Sequence, residues 1–379
     1  MGKTVSSKGV GPSKILIRGV NWLGDAVMSI PALLRLREKE PEARITLLCH
    51  QKLADLWLNH EAIDRVITFA AGESPWSVAK RLRPENFQTA LILPNSPRSA
   101  LEAWLAGIPQ RIGYSRAWGN IFLTRAVPPR TGRVRMRKRS VSEIRRLVGE
   151  SPTAGPERFP EAAHQSFDYL HLVAQLGATE SAIAPRLKVG SEEVAAVREK
   201  FSLPTIGKSL FGLNPGAEYG PAKCWPIESF IAAAVEIQKQ TNCRWLIFGT
   251  AAQATVAEMI CGKISAHFSL DQSQPPLNLA GKTSLRELCA LLSLCRGLLT
   301  NDSGPMHAAS ALGTPVVVPF GSTTPDLTGP WMKEKHNHLL IGQAPCAPCF
   351  RRECPIDFRC MKSISVESVV DAFLSLPVS

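Results

Sequence analysis

The stretch Thr300-Asn301-Asp302-Ser303-Gly304-Pro305-Met306-His307 decides how this chain is read. Gly297-Leu298-Leu299 before it is short and apolar, as a buried strand is. Met306 to Leu312 after it reads as a helix, and Val316-Val317-Val318-Pro319-Phe320, beyond the turn Gly313-Thr314-Pro315, as the next strand. The polar turn therefore sits at a strand's carboxyl end and a helix's amino end, the place where open parallel sheets bind ligands. Free backbone N–H groups and the helix dipole favour phosphate there. Ser303 and Gly304 let the backbone approach closely. Pro305 costs nothing in the first helical turn, where its missing N–H has no partner anyway. The plain alternative is a cap, with Asp302 or Ser303 satisfying orphan amides.

The same rhythm extends upstream. Ser209 to Leu213 reads as a strand, followed by the long glycine-bearing turn Asn214 to Pro226 and a helix from about Ile227. Strands at Arg244 to Gly249 and Leu277 to Gly281 alternate with a helix through Glu258 and one carrying Leu285, Leu288, Leu292 and Leu294. In the first half, Lys14 to Gly19 is a strand, Val20 to Asp25 a turn, and Val27, Ile30 and Leu34 mark a buried helical stripe. Pro31 predicts a kink or a late start. Asp25 falls near the first turn, either as a partner of the helix dipole or as a carboxylate presented at the sheet's edge. Arg44 to Leu48, Val66 to Phe69 and Ala90 to Pro94 are further strands, and the turn Pro94-Asn95-Ser96-Pro97-Arg98 is expected in the same crevice as Asp25. The alternation predicts parallel α/β units with right-handed crossovers. Two Rossmann-like units facing across a cleft result. With a linker between Gly177 and Leu203, residues 1–190 form the first domain and 191–379 the second, and the final helix, about 366–376, could pack on either.

Composition sets limits. Among 379 residues, 44 Lys and Arg outnumber 32 Asp and Glu, for a net charge of +12, which points to an acidic partner. No apolar run approaches the ~20 residues of a membrane span. The polar stretch Met1 to Pro12 lacks a signal peptide's apolar core, so a cytoplasmic protein is expected, although Met1 to Ser6 fits the N-myristoylation pattern. From Arg111 to Arg146 basic residues, including Arg130, Arg133, Arg135, Arg137, Lys138 and Arg139, face a single acid, Glu143. Such a run is either a solvated loop or a landing surface for phosphates or an anionic membrane. Nucleic acid is not expected, since no recognition motif accompanies the run and Trp118 is its main aromatic. The ten cysteines lie mostly in apolar contexts, as reduced buried thiols do. Cys346, Cys349, Cys354 and Cys360 form one cluster. Four thiolates could hold a structural zinc, and disulfides or plain packing are the alternatives.

The motifs also exclude chemistries. No G-x-G-x-x-G follows a strand, so no nicotinamide or flavin dinucleotide is expected, and neither G-x-S-x-G nor H-E-x-x-H occurs. No D-x-D is present, so no divalent ion and no cofactor are expected. Lys223 lies near a helix's amino end, electrostatically the wrong end for a cation unless an anion binds there. His307, one turn into its helix, could donate to phosphate.

Taken together, Ile17 to Met28, Leu93-Pro94-Asn95-Ser96, Asn214-Pro215-Gly216-Ala217 through Lys223-x-Trp225-Pro226, Thr300 to His307 and the Cys354-to-Met361 tail resemble the ADP-heptose:lipopolysaccharide heptosyltransferases, the heptosyltransferase II group in particular. The resemblance implies a GT-B fold, with the donor nucleotide in the second domain and the acceptor in the first. It implies inverting transfer of L-glycero-D-manno-heptose from ADP-heptose onto the heptosylated Kdo-lipid A core, by an enzyme peripheral on the cytoplasmic face of the inner membrane, whose anionic surface the basic run would meet. Asp25 then matches the catalytic carboxylate and Lys223 the phosphate-contacting lysine. Asn214, Gly216, Ala217, Lys223, Gly249, Asn301, Asp302, Ser303, Gly304 and His307 are the expected donor-site residues, and Asn21, Trp22, Asn95, Arg98 and Arg116 the expected acceptor-site residues. Relatives often carry a base after the lysine; here it is Cys224. Single displacement needs a base for the acceptor hydroxyl, and the departing ADP needs the charge stabilisation that Lys223 and helix amides can give. Another GT-B sugar-nucleotide enzyme, such as an epimerase, is the alternative.

Overall fold

The computed structural model describes residues 12–116, 120–150, 154–204, 209–269, 274–331 and 336–377. The N-terminal acylation pattern and Trp118 lie outside the described residues. The chain divides into two compact units: residues up to Thr131 with Ser166–Ile183, and Gly132–Gln165 with Ala184–Ser379.

The first unit opens with β1 (Lys14–Arg18) and α1 (Leu23–Lys39). Ile15, Leu16 and Ile17 are all buried, the signature of a parallel strand covered on both faces. Helix α1 starts well ahead of Pro31 and runs past it, so the proline does not delay the start. Asp25 lies in its first turn, and Arg37 and Lys39 in its last, where each charge opposes the helix dipole favourably. Next come β2 (Arg44–His50), β3 (Arg65–Phe69), α2 (Pro75–Leu82), β4 (Thr89–Ile92), α3 (Pro97–Leu105), β5 (Gln110–Tyr114) and β6 (Arg125–Val127). The second unit then gains α4 (Val141–Glu150), and α5 (Ser166–Ala174) returns to pack on α1 in the first. The six strands are parallel in the order β3-β2-β1-β4-β5-β6. The chain steps one way from β1 and then resumes on its other side with β4. The switch point therefore lies between β1 and β4, whose carboxyl ends carry the Asp25 turn and the Asn95–Arg98 turn.

The second unit adds α6 (Ser191–Lys200), β7 (Leu210–Asn214), α7 (Ile227–Thr241), β8 (Arg244–Ile247), α8 (Ala254–Ser265), β9 (Leu277–Asn278), α9 (Leu285–Leu294), β10 (Leu298–Thr300), α10 (Gly304–Ala311), β11 (Val316–Phe320), α11 (Pro325–Thr328), β12 (His338–Ile341), α12 (Arg359–Lys362) and α13 (Val366–Leu374). Its parallel sheet runs β12-β11-β10-β7-β8-β9. The switch point here lies between β7 and β10, whose carboxyl ends carry the Asn214 and Asn301 turns. Trp225, Phe230, Trp245 and Phe373 pack into one core, and the Trp225 indole N–H donates to the Ile364 carbonyl at 3.1 Å.

Packing departs from the expected division at one stretch and decides where the final helix lies. Residues 132–165 lie with the second unit: Arg139 N–H donates to the Cys349 carbonyl at 3.0 Å, and Glu157 N–H to that of Ala347 at 2.9 Å. The final helix, open to either unit in the sequence, packs on α7 of the second.

Candidate functional site

In the second unit the two switch-point turns are stitched together. The Asn214 side-chain amide donates to Thr300 Oγ1 and Ser303 Oγ, both at 3.0 Å. Asn301 reaches back, donating to the Pro215 carbonyl at 2.6 Å and accepting from Trp225 N–H at 2.9 Å. This fixes the residues that flank Lys223. The lysine ends a short 3-10 turn, Pro221–Lys223, and its Nζ lies 2.6 Å from Asp302 Oδ2 and 4.9 Å from the centre of the Tyr219 ring. The lysine side chain is 14% exposed and the aspartate 3%. Thr323 donates to the same carboxylate oxygen at 2.6 Å.

The plain capping alternative does not describe this turn. Asp302 is engaged with Lys223 and Thr323, and Ser303, the residue at the helix's N-cap, makes no side-chain capping bond. His307 is buried, and burial drives its pKa down from 6.5 to about 4, with Asp302 opposing and Lys223 assisting. It is therefore a neutral imidazole at pH 7, not a cation for phosphate.

Two further expected donor-site residues, Gly216 and Gly249, lie against Gln253. A Cβ on Gly216 would fall 2.0 Å from Gln253 Nε2, and one on Gly249 would fall 3.1 Å from Gln253 Oε1. A larger residue at either position would push the Gln253 side chain aside. The Ala217 backbone lies against the Cys224 thiol, whose pKa burial raises. Gly220 takes φ +148, and a Cβ there would meet the Arg352 carbonyl at 2.6 Å; the Ala222 N–H donates to that carbonyl at 2.9 Å. Thr323, Tyr219 and Gln253 are contacts that the sequence reading missed. Gln253 had a usable signal, since Thr250 and Gln253 stand at capping-box spacing after a strand.

In the first unit, Asp25 is half-buried in the first turn of α1. Trp22 is 41% exposed, with Lys52 Nζ 5.2 Å from the centre of its ring. Arg116 Nε donates to the Asn95 side chain. Arg98 Nε donates to Glu102 Oε1 at 3.1 Å, and Arg18 Nη1 approaches Asn21 Oδ1 at 3.4 Å. The expected acceptor-site residues thus hang from the ends of β1, β4 and β5.

The basic run is less cationic than its sequence suggests, because acids from within and outside it pair with its arginines. Arg130 meets Asp168 at 3.2 Å, Arg137 meets Glu143 at 2.8 Å and Arg139 meets Glu157 at 2.5 Å. All ten cysteines are free thiols. Cys346, Cys349, Cys354 and Cys360 line one small cavity with Ala222 and Ser322, and burial raises the Cys360 pKa to about 12. Among the described residues, no three His, Cys, Asp or Glu side chains are disposed to hold a metal ion.

Two Rossmann-like parallel sheets, each with a switch point, give the architecture of the GT-B class, and the comparisons place the chain further. The sequence model of Glycosyltransferase family 9 (heptosyltransferase) matches residues 75–358, and the chain belongs to that family. It is similar to the lipopolysaccharide heptosyltransferase 2 of Escherichia coli (strain K12), 29% identical over 84% of this chain and 85% of that one. It is also similar to the lipooligosaccharide heptosyltransferase 2 of Haemophilus ducreyi, 30% identical over 85% of this chain and 87% of that one. The solved structure of the E. coli ADP-heptose LPS heptosyltransferase II superposes with a TM-score of 0.73 at 25% identity, covering 96% of this chain and 98% of that one.

Proposed function

We propose that the chain transfers a heptose from ADP-heptose onto the heptosylated Kdo-lipid A inner core of lipopolysaccharide, with inversion, as a heptosyltransferase II. The observation that carries the reading is the Lys223–Asp302 pair, 2.6 Å apart, beside a helix N-terminus without a side-chain cap. A half-buried ammonium and the amides of a helix N-terminus at a switch point suit a diphosphate. In this reading the diphosphate of the donor lies on Lys223 and the amides of Ser303 and Gly304, and Asn214 and Asn301 hold those turns in place. Asp25 takes the proton of the acceptor hydroxyl as it attacks the anomeric carbon. The bond to ADP breaks, and the new phosphate charge is met by Lys223 and the amides, which are already oriented for it. Trp22, Asn21, Asn95, Arg98 and Arg116 bind the sugars and anionic groups of the acceptor.

Among the described residues no helix is long and apolar enough to cross a membrane. The basic run then brings the enzyme to an anionic inner-membrane surface, and raised salt weakens that attraction. The test is transfer itself: purified protein, ADP-heptose and heptosyl-Kdo-lipid A, with product read by mass. One added heptose and released ADP support the reading. Turnover only with other nucleotide sugars or other acceptors overturns it. No co-sedimentation with anionic vesicles at low salt would remove the membrane role, and co-sedimentation insensitive to salt would remove the basic run's part in it.

A further inference from the structure

Arg18 is a charged residue at the end of an apolar strand, and it is buried to 2% exposure in the first unit's core. Its Nε lies 2.7 Å from Glu102 Oε2, and the glutamate is itself fully buried. The guanidinium lies 4.3 Å from the centre of the Phe69 ring. Its Nη1 donates to the Gly19 carbonyl at 2.6 Å and approaches Asn21 Oδ1 at 3.4 Å. Residues 19–22, between β1 and α1, belong to neither strand nor helix, and Trp22 caps α1 without a side-chain bond. The other Glu102 oxygen, Oε1, accepts from Arg98 Nε at 3.1 Å, and Arg98 Nη2 donates to the Glu73 carbonyl.

One carboxylate therefore ties together both turns of the first unit's switch point. Neither group is a surface charge that water could support. A buried ion pair adds little stability compared with apolar side chains of similar volume, and fixing one arrangement is its best-attested use.

We propose that Arg18 and Glu102 are positioning residues: Glu102 holds Arg18 under the Gly19–Asn21 turn and Arg98 in the neighbouring turn, so that Asp25 and the acceptor-binding side chains are presented in one geometry. This rests on the heptosyltransferase reading for its kinetic consequence, but not for its structural one. Displacement of a reacting group by about 1 Å can cost on the order of 10²-fold in rate.

The experiment uses the full chain and the variants Glu102→Gln and Arg18→Met/Glu102→Leu. The single variant keeps the shape and loses the charge. The double variant removes both buried charges, and the one charge it leaves without its carboxylate, Arg98, is 40% exposed to water, so it stays folded even if the single does not. Hydrogen exchange is read by mass spectrometry on peptides covering 19–25 and 94–98, and on peptides of the second unit. ADP affinity is read by calorimetry, and acceptor kcat and KM by transfer assay. The expected result for the folded double variant is faster exchange in the two turns, unchanged exchange in the second unit, unchanged ADP affinity, and acceptor kcat/KM down at least about 10-fold. Turns that exchange as in the parent, or a double variant with parental kcat/KM, overturn the proposal. If the parent itself transfers no heptose, the function proposed above falls, while the exchange result still decides whether Arg18 and Glu102 brace the turns.

Discussion

Removing the Lys223 ammonium should have two separable consequences. The first is on stability. Asp302 is 3% exposed and sits 2.6 Å from that ammonium, so Lys223→Ala leaves a buried carboxylate held by the Thr323 hydroxyl without its cation. Breaking a buried pair from one side costs about 3–5 kcal/mol. The second is on the donor. A hydrogen bond to a charged group contributes about 1.5–3 kcal/mol, so the ADP dissociation constant should rise about 10- to 150-fold. The double variant Lys223→Met/Asp302→Asn separates the two, because it leaves no unpaired charge: the unfolding midpoint should recover most of its loss while ADP binding stays weak. Denaturant titration gives the first quantity and calorimetry with ADP the second. Folded Lys223 variants that bind ADP as tightly as the parent would refute the assignment of the diphosphate to this ammonium.

Three further outcomes follow from the same geometry. Asp25→Asn should lower kcat at least about 10²-fold, the usual contribution of a general base, with ADP affinity unchanged; parental turnover would remove Asp25 from the mechanism. His307 titrates at about 4 when folded, against 6.5 for the free side chain, so the unfolded chain takes up its proton first as pH falls. Stability of about 3 kcal/mol, present above pH 6.5, should therefore drain away between pH 6.5 and 4, and His307→Gln should flatten that slope in denaturant titrations. Thr323→Val deletes a 2.6 Å hydrogen bond to Asp302 with little change of shape and should cost about 1–3 kcal/mol of stability; a variant as stable as the parent would show that the hydroxyl does not hold the carboxylate.

What could be read from the chain alone follows physical lines. Ile15–Ile17, Leu298–Leu299 and Val316–Val318 are continuous apolar runs because both faces of each strand are buried, so those strands and the polar turns after them were legible. Strands β5, β6 and β12 were not. Arg111, Arg125 and His338 interrupt their apolar pattern, and edge positions such as those of β6 and β12 tolerate that. The allegiance of residues 132–165 was also hidden, because backbone bonds to Ala347 and Cys349, far along the chain, decide it. The candidate donor site was legible as two turns and a lysine, since each falls at a strand end. The Lys223–Asp302–Thr323 cluster was not, because Thr323 reaches Asp302 only once the chain has passed through α10 and β11. The Arg18–Glu102 pair spans 84 residues, and its one visible trace was a charge closing the apolar run Lys14–Arg18.

The most direct test of the account is to locate ADP bound to this protein by crystallography or cryo-electron microscopy. The account predicts the β-phosphate within hydrogen-bonding distance of Lys223 Nζ and of the backbone amides at Ser303 and Gly304. ADP bound with its diphosphate away from both would contradict it.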